Sequence, residues 1–173
     1  MQMSDQKEIA ADPATVYAAL LSPEMLMACV PGAKEVTGSA EDGFEATVTQ
    51  KVGPVKATFK GKVTLSDLVE NEKLTIAGEG KGGAAGFAKG GAVVTLTASE
   101  TGTLLAYDVE ARVGGKLAQL GSRLIDGFAK KMADQFFTNL QQALAPVEDE
   151  GESDTATEVE EKTGWLKKIT GRS

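Results

Sequence analysis

Hydrophobic and polar positions alternate with period two over about eighty residues in the middle of the chain. Phe44, Ala46 and Val48 share one face, whereas Glu45 and Thr47 share the other. The alternation recurs over 44–52, 55–65, 74–80, 92–98 and 105–113, and turn-forming residues such as those of the Gly53-Pro54 pair separate these segments. The pattern predicts an antiparallel meander of strands with one face in solvent.

The period becomes helical in the C-terminal third. Apolar residues recur every three or four positions between Gly115 and Leu144, which predicts one amphipathic helix of about 30 residues. They are Leu117, Leu120, Leu124, Phe128, Met132, Phe136 and Leu140. The helix has one apolar stripe to bury, and the sheet has one apolar face that can receive it.

Two short helices are predicted before the meander. Each begins with a capping side chain followed by proline, which favours the first helical position. Asp12-Pro13 introduces Ala14–Leu21, Ser22-Pro23 introduces Glu24–Cys29, and a short strand around Gln6–Ala10 precedes them. The predicted fold is therefore α+β, a helix-grip arrangement. A curved antiparallel sheet wraps around a long C-terminal helix, and the two short helices close one end.

Composition removes most kinds of catalytic site. The 173 residues include no histidine and a single cysteine, Cys29, so imidazole acid–base pairs, histidine-activated nucleophiles and most metal sites are excluded. The Asp108/Glu110 pair is predicted on the solvent face of its strand. The Gly78–Gly83 segment matches G-x-G-x-x-G, but no helix follows that could receive a phosphate. We predict no catalytic residue and no metal site.

Small residues occupy the face of the sheet that meets the helix. Ala46, Gly61, Gly78, Gly80 and Ala92 all fall there, and a protein core needs large neighbours to fill such space. Two interpretations stay open: an apolar cavity for a hydrophobic molecule, or a helix that packs closely over the small residues. The glycine-rich segment either permits a sharp bend or forms a mobile gate beside the cavity.

Net charge divides the chain into a body and a tail. The whole chain carries a net charge of −7, and eight acids without a base lie between Pro146 and Glu161. Four bases and no acid follow from Lys162 to Ser173. We predict a domain at 1–145, an acidic disordered linker at 146–161 and a basic amphipathic anchor at 162–173. The nearly balanced body argues against nucleic-acid binding.

The predicted anchor combines apolar and cationic side chains that suit a membrane surface or a partner protein, although an inert tail is the alternative. Its residues are Trp165, Leu166, Lys167, Lys168 and Ile169. The longest apolar runs of the chain, at 16–21 and 25–30, are too short to span a bilayer. The expected location is the cytoplasm, with peripheral attachment to the inner face of the cell membrane.

Residues 1–145 resemble the CoxG family of carbon monoxide dehydrogenase systems, within the START-like (SRPBCC) helix-grip superfamily. The resemblance rests on 12–17, 30–33, 53–57 and the glycine-rich segment. Its most specific part is 114–125, which leads to Gln135-Phe136-Phe137.

The resemblance implies a non-catalytic accessory protein of carbon monoxide dehydrogenase or a related molybdenum hydroxylase. Such a protein has no covalent cofactor and carries a quinone, such as menaquinone, or another isoprenoid lipid. It also links the enzyme to the membrane. Two alternatives remain: a polyketide-cyclase-like enzyme of the same fold, and a ligand-free adaptor that recruits the enzyme to the membrane.

The carrier interpretation predicts which side chains wall the cavity and how the ligand enters it. The first two helices and the glycine segment would form the mouth, where the polar head of the ligand would protrude. The predicted ligand-binding residues are Tyr17, Leu20, Leu26, Val30, Phe59, Phe87, Tyr107, Leu117, Leu120, Leu124 and Phe128.

Overall fold

The computed structural model describes residues 1–145 and contains one seven-stranded antiparallel sheet. The strands are β1 Gln2–Ile9, β2 Ala33–Ser39, β3 Gly43–Val52, β4 Val55–Val69, β5 Lys73–Lys81, β6 Phe87–Ser99 and β7 Gly102–Gly114. Their spatial order is β1-β7-β6-β5-β4-β3-β2. Strands β2 to β7 form a meander, and β1 pairs with the last of them. The α+β class and the helix-grip arrangement are confirmed.

Two short helices follow β1, as the proline-containing caps predict. They are α1 Pro13–Leu20 and α2 Pro23–Cys29. The carboxylate of Asp12 accepts a hydrogen bond from the Thr15 amide at 3.1 Å, and the Ser22 hydroxyl accepts one from the Met25 amide at 3.2 Å. Each cap satisfies a backbone donor that has no partner inside its helix.

The C-terminal helix is shorter than the sequence pattern predicts. Residues Gly115–Leu120 form a 3₁₀ helix, and the α-helix, α3, spans Ser122–Leu144. Gly121 separates the two with φ of 88°, a left-handed conformation that an α-helix does not contain. The single helix of about 30 residues is therefore wrong, and Leu117 and Leu120 do not lie on α3.

Strand β2 has no counterpart in the sequence prediction. Its register shifts between Ala33 and Glu35, where a bulge interrupts the period of two. Strand β1 also begins earlier than the predicted Gln6, and β6 begins at Phe87 rather than Ala92. The linker at 146–161 and the anchor at 162–173 lie outside the described residues.

The core is concentrated at one end of the molecule, around the C-terminal half of α3. Ile9, Leu74, Leu105 and Leu140 are each no more than 1% exposed and belong to one cluster. The Asn139 side chain adds a 2.9 Å hydrogen bond to the carbonyl of Cys29 at the end of α2. The sheet and the short helices thus hold α3 mainly by its C-terminal half.

Candidate ligand-binding cavity

An apolar cavity of about 330 Å³ lies between the inner face of the sheet and the C-terminal half of α3. Strands β2 to β7 form its floor, and α1, α2 and α3 contribute side chains around it. Its lining consists of Leu20, Leu26, Val30, Val36, Phe44, Ala46, Val48, Val63, Leu65, Ile76, Ala92, Val94, Leu105, Tyr107, Val109, Ala133, Phe136 and Phe137. The volume falls within the range of small-molecule sites.

Tyr107 is the single residue of this lining with a polar side-chain atom. Its ring stacks on Phe137 of α3, with centroids 5.4 Å apart and ring planes 16° apart. Phe137 in turn meets Phe136 edge-on at 5.1 Å. The aromatic stack fixes the orientation of the Tyr107 ring against the helix.

The cavity continues into an open groove of about 440 Å³ on the same face of the sheet. The two spaces share Val30, Ala92 and five other lining residues. Gly61, Gly78 and Gly80 lie in the groove, and no residue of α3 lines it. The small residues predicted on this face therefore leave space that the helix does not fill.

The structure brings five of the eleven predicted ligand-binding residues to these spaces. Leu20, Leu26, Val30 and Tyr107 line the cavity, and Phe59 joins Val30 along the groove. These positions are contributed by α1, the end of α2, and strands β4 and β7. Whether they contact a ligand stays a prediction.

The other six predicted residues line neither space. Tyr17 is buried in the core, and Leu117 is buried in the 3₁₀ helix that also contains the half-buried Leu120. On α3, Phe128 is half-buried and Leu124 is 39% exposed. Leu124 is displaced from the cavity because it packs over Gly53, where a β-carbon would lie 2.7 Å from its Cδ2.

Phe87 faces away from the groove. Its neighbour Ala88 lines the groove, and successive side chains of a strand point to opposite faces. Phe87 is 47% exposed and packs over Gly114. It therefore borders an open depression on the other face, beside Lys89 and Arg112. The sequence alternation began only at Ala92, so it did not assign a face to Phe87.

The aromatic end of the cavity was missing from the predicted set. Phe136 and Phe137 both line it, and the sequence offered two signals: Phe136 lies on the helical stripe, and both belong to the motif at 135–137. Phe44, Val48 and Val63 also line the cavity. The period-two alternation already placed those three on the inner face.

Cys29 and the glycine-rich segment provide no chemistry in the structure. Cys29 is fully buried, and burial raises the pKa of its thiol, which keeps it protonated. The glycine segment ends β5 at Lys81 and continues through a 3₁₀ turn, Gly83–Ala85, into β6. Among residues 1–145 no cluster of His, Cys, Asp and Glu side chains could hold a metal ion. The mobile gate stays a prediction.

Charged residues line the edge of the helix–sheet interface beside Tyr107. The Asp134 carboxylate accepts hydrogen bonds from Lys130 and Lys7, each at 2.8 Å, and Lys7 also lies 3.6 Å from Asp5. Bonds from Lys130 and Lys7 lower the pKa of Asp134 to about 2. The cluster connects β1 to α3 where the helix passes over the sheet edge.

We expect Asp134→Asn to remove part of the acid sensitivity of the fold. A carboxylate with a lowered pKa stabilises the folded state above its ordinary pKa of 3.8, and that stabilisation disappears as pH falls towards 2. The difference in free energy of unfolding between wild type and variant should shrink over this interval. Urea unfolding at several pH values measures it. Asp126→Asn, an exposed change on the same helix, is the control and should show a difference independent of pH.

The gripped helix and its apolar cavity define a protein of the START-like helix-grip class. Solved structures share the fold. A conserved protein from Geobacillus kaustophilus is 27% identical with a TM-score of 0.77, and the match covers 83% of this chain and 94% of that one. A START superfamily protein from Mycobacterium smegmatis is 15% identical with a TM-score of 0.63, over 82% and 95% of the two chains.

The particular family follows from the sequence. The CoxG family of carbon monoxide dehydrogenase matches residues 6–145, and the chain belongs to this family. The resemblance seen in the sequence is thereby confirmed. No curated protein matches significantly. Within residues 1–145, no helix has the length and apolar character required to cross a membrane.

Proposed function

We propose that the protein is a non-catalytic carrier of a hydrophobic lipid or quinone, which it holds in the cavity beneath α3. The carrier serves carbon monoxide dehydrogenase or a related molybdenum hydroxylase and links that enzyme to the inner face of the cell membrane. The observation that supports ligand carriage most directly is the unfilled apolar space. The family name supports the partner.

The energetics favour a ligand with a long hydrocarbon chain. Each methylene group moved from water into an apolar site contributes about 0.8 kcal/mol. Ten such groups contribute about 8 kcal/mol before the cost of immobilising ligand and protein. The cavity and the groove together provide a continuous apolar path, so an isoprenoid tail can bind without many hydrogen bonds.

The lining favours a carrier over a polyketide-cyclase-like enzyme. Acid–base catalysis requires polar groups that converge on the reacting atoms, and two or more buried polar side chains are the minimum. The cavity presents one, the hydroxyl of Tyr107. A ligand-free adaptor would instead fill the space with its own side chains.

The tail composition supports membrane recruitment. Trp165, Leu166 and Ile169 are accompanied by four cations within Lys162–Ser173, and each base near anionic lipid contributes about 1 kcal/mol. The eight acids upstream oppose this attraction. The resulting hold is weak and reversible, which suits a protein that collects a ligand and leaves.

Transfer from vesicles tests the proposal. We expect the full chain to extract a short-chain menaquinone from vesicles of phosphatidylglycerol and phosphatidylethanolamine. A variant that ends at Glu161 should extract as much at equilibrium but more slowly. Quinone in the protein fraction is measured after the vesicles are removed by centrifugation, with neutral phosphatidylcholine vesicles as the control. Absence of quinone in the protein fraction would contradict the carrier, and equal rates would contradict the anchor.

A further inference from the structure

The hydroxyl of Tyr107 has no hydrogen-bond partner although it is buried. Tyr107 is 4% exposed, and within residues 1–145 its hydroxyl is the one buried side-chain nitrogen or oxygen atom without a partner. The same residue lines the apolar cavity. Buried polar groups are nearly always hydrogen-bonded, so an unpartnered one inside a cavity points to a missing acceptor or donor.

The protein does not supply that partner from the neighbouring charges. Asp5 is the cross-strand neighbour of Tyr107, and Lys7 and Asp134 also lie near the phenol. These side chains bond to one another rather than to the hydroxyl. Burial, together with the negative charge of Asp5, raises the pKa of Tyr107, so the phenol keeps its proton and can donate a hydrogen bond.

A purely apolar function would not require this hydroxyl. Phenylalanine at the same position would keep the stack on Phe137 without burying an unsatisfied oxygen. The open groove, by contrast, has no polar side chain on its inner face: its lining there is glycine, alanine, valine, isoleucine and phenylalanine. The polar demand of the site is therefore confined to the inner end, under α3.

We propose that Tyr107 donates a hydrogen bond to an oxygen atom, such as a quinone carbonyl, at the inner end of the carried molecule. The hydrocarbon remainder then lies along the glycine-lined groove. This inference rests on the proposed carrier function and adds the orientation of the ligand. The orientation is opposite to the one expected from the sequence, in which the polar head protrudes at the mouth.

Two variants and two probes isolate the hydroxyl. Tyr107→Phe removes the oxygen and keeps the ring, whereas Tyr17→Phe, in the core and away from the cavity lining, is the matched control. The probes are an alkyl naphthoquinone and the corresponding alkyl naphthalene, which lacks both oxygens. We expect Tyr107→Phe to weaken naphthoquinone binding about five- to tenfold and to change naphthalene binding less than about twofold. Tyr17→Phe should change neither.

The pattern of outcomes separates this inference from the proposed function. Binding of neither probe to the wild-type protein would contradict the carrier and the orientation together. If both probes bind but Tyr107→Phe leaves the naphthoquinone affinity unchanged, or weakens both probes equally, only the orientation is wrong. The first of these results leaves the hydroxyl without a role, and the second attributes the effect to ring packing.

An infrared spectrum of the wild-type complex gives a second measurement that does not depend on a variant. A carbonyl that accepts a hydrogen bond absorbs at lower frequency, so one carbonyl band of the bound naphthoquinone should shift relative to its position in a hydrocarbon solvent. Two bands at the hydrocarbon-solvent positions would contradict the proposal. The control spectrum of Tyr17→Phe should match that of the wild type.

Discussion

Ala92→Phe is expected to abolish most of the ligand binding and leave the protein folded. Ala92 lines both the cavity and the groove, so a phenyl group there occupies the passage between them. If the ring displaces about four methylene groups of the ligand, binding loses about 3 kcal/mol, which is roughly a hundredfold change in affinity. Equilibrium binding of a short-chain menaquinone in dilute detergent measures the loss.

The adjacent residue provides the control. Val93 lies on the same strand, is 36% exposed and points to the opposite face of the sheet. Val93→Phe therefore adds an aromatic ring at nearly the same place without entering the cavity, and its affinity should equal that of the wild type. Circular dichroism shows whether both variants keep the fold. A folded Ala92→Phe protein with wild-type affinity would place the ligand elsewhere.

Gly80 explains why the groove can be treated as real space rather than as a packing requirement. A β-carbon at Gly80 would meet its nearest neighbours at 3.8 Å, an ordinary van der Waals distance. At Gly90, by contrast, a β-carbon would lie 2.3 Å from the carbonyl oxygen of Glu110, so glycine is needed there for close backbone approach. The glycines of this face therefore have different causes, which the sequence alone cannot separate.

The fold was largely predictable because its two hydrophobic periods are clean. Inward positions such as Val63 and Leu105 follow the period of two, and Leu140 follows the helical period. The helix break at Gly121 was missed because Leu117 and Leu120 continue the apolar spacing across it. Spacing reports which side chains are apolar, whereas the break depends on a backbone angle at one glycine.

The cavity was predictable as a shortage of large inward side chains, but its position was not. The six predicted residues that lie elsewhere were chosen from the apolar stripe of a continuous helix, from the early helices and from the glycine segment. Where α3 crosses the sheet is determined by contacts distant in sequence, such as the one between Lys7 and Asp134. Those contacts place Phe137, rather than Leu124 or Phe128, over Tyr107.

The two ends of α3 should differ sharply in their contribution to stability. Leu140 is fully buried in the core cluster, whereas Leu124 is 39% exposed and packs over Gly53. We expect Leu140→Ala to lower the free energy of unfolding by about 3 kcal/mol, because it removes buried methyl groups and leaves a void in a packed cluster. Leu124→Ala, the matched change one end of the helix away, should lower it by less than about 1 kcal/mol.

Urea unfolding at neutral pH, followed by circular dichroism, measures both changes. The expected difference follows from a helix that is held at its C-terminal end by the core and by the bond from Asn139 to Cys29. Its N-terminal half passes beside a groove that it does not fill. Equal losses in the two variants would mean that the N-terminal half is packed as tightly as the C-terminal half. The groove would then be closed in solution, and the hydrocarbon chain of a ligand could not lie there.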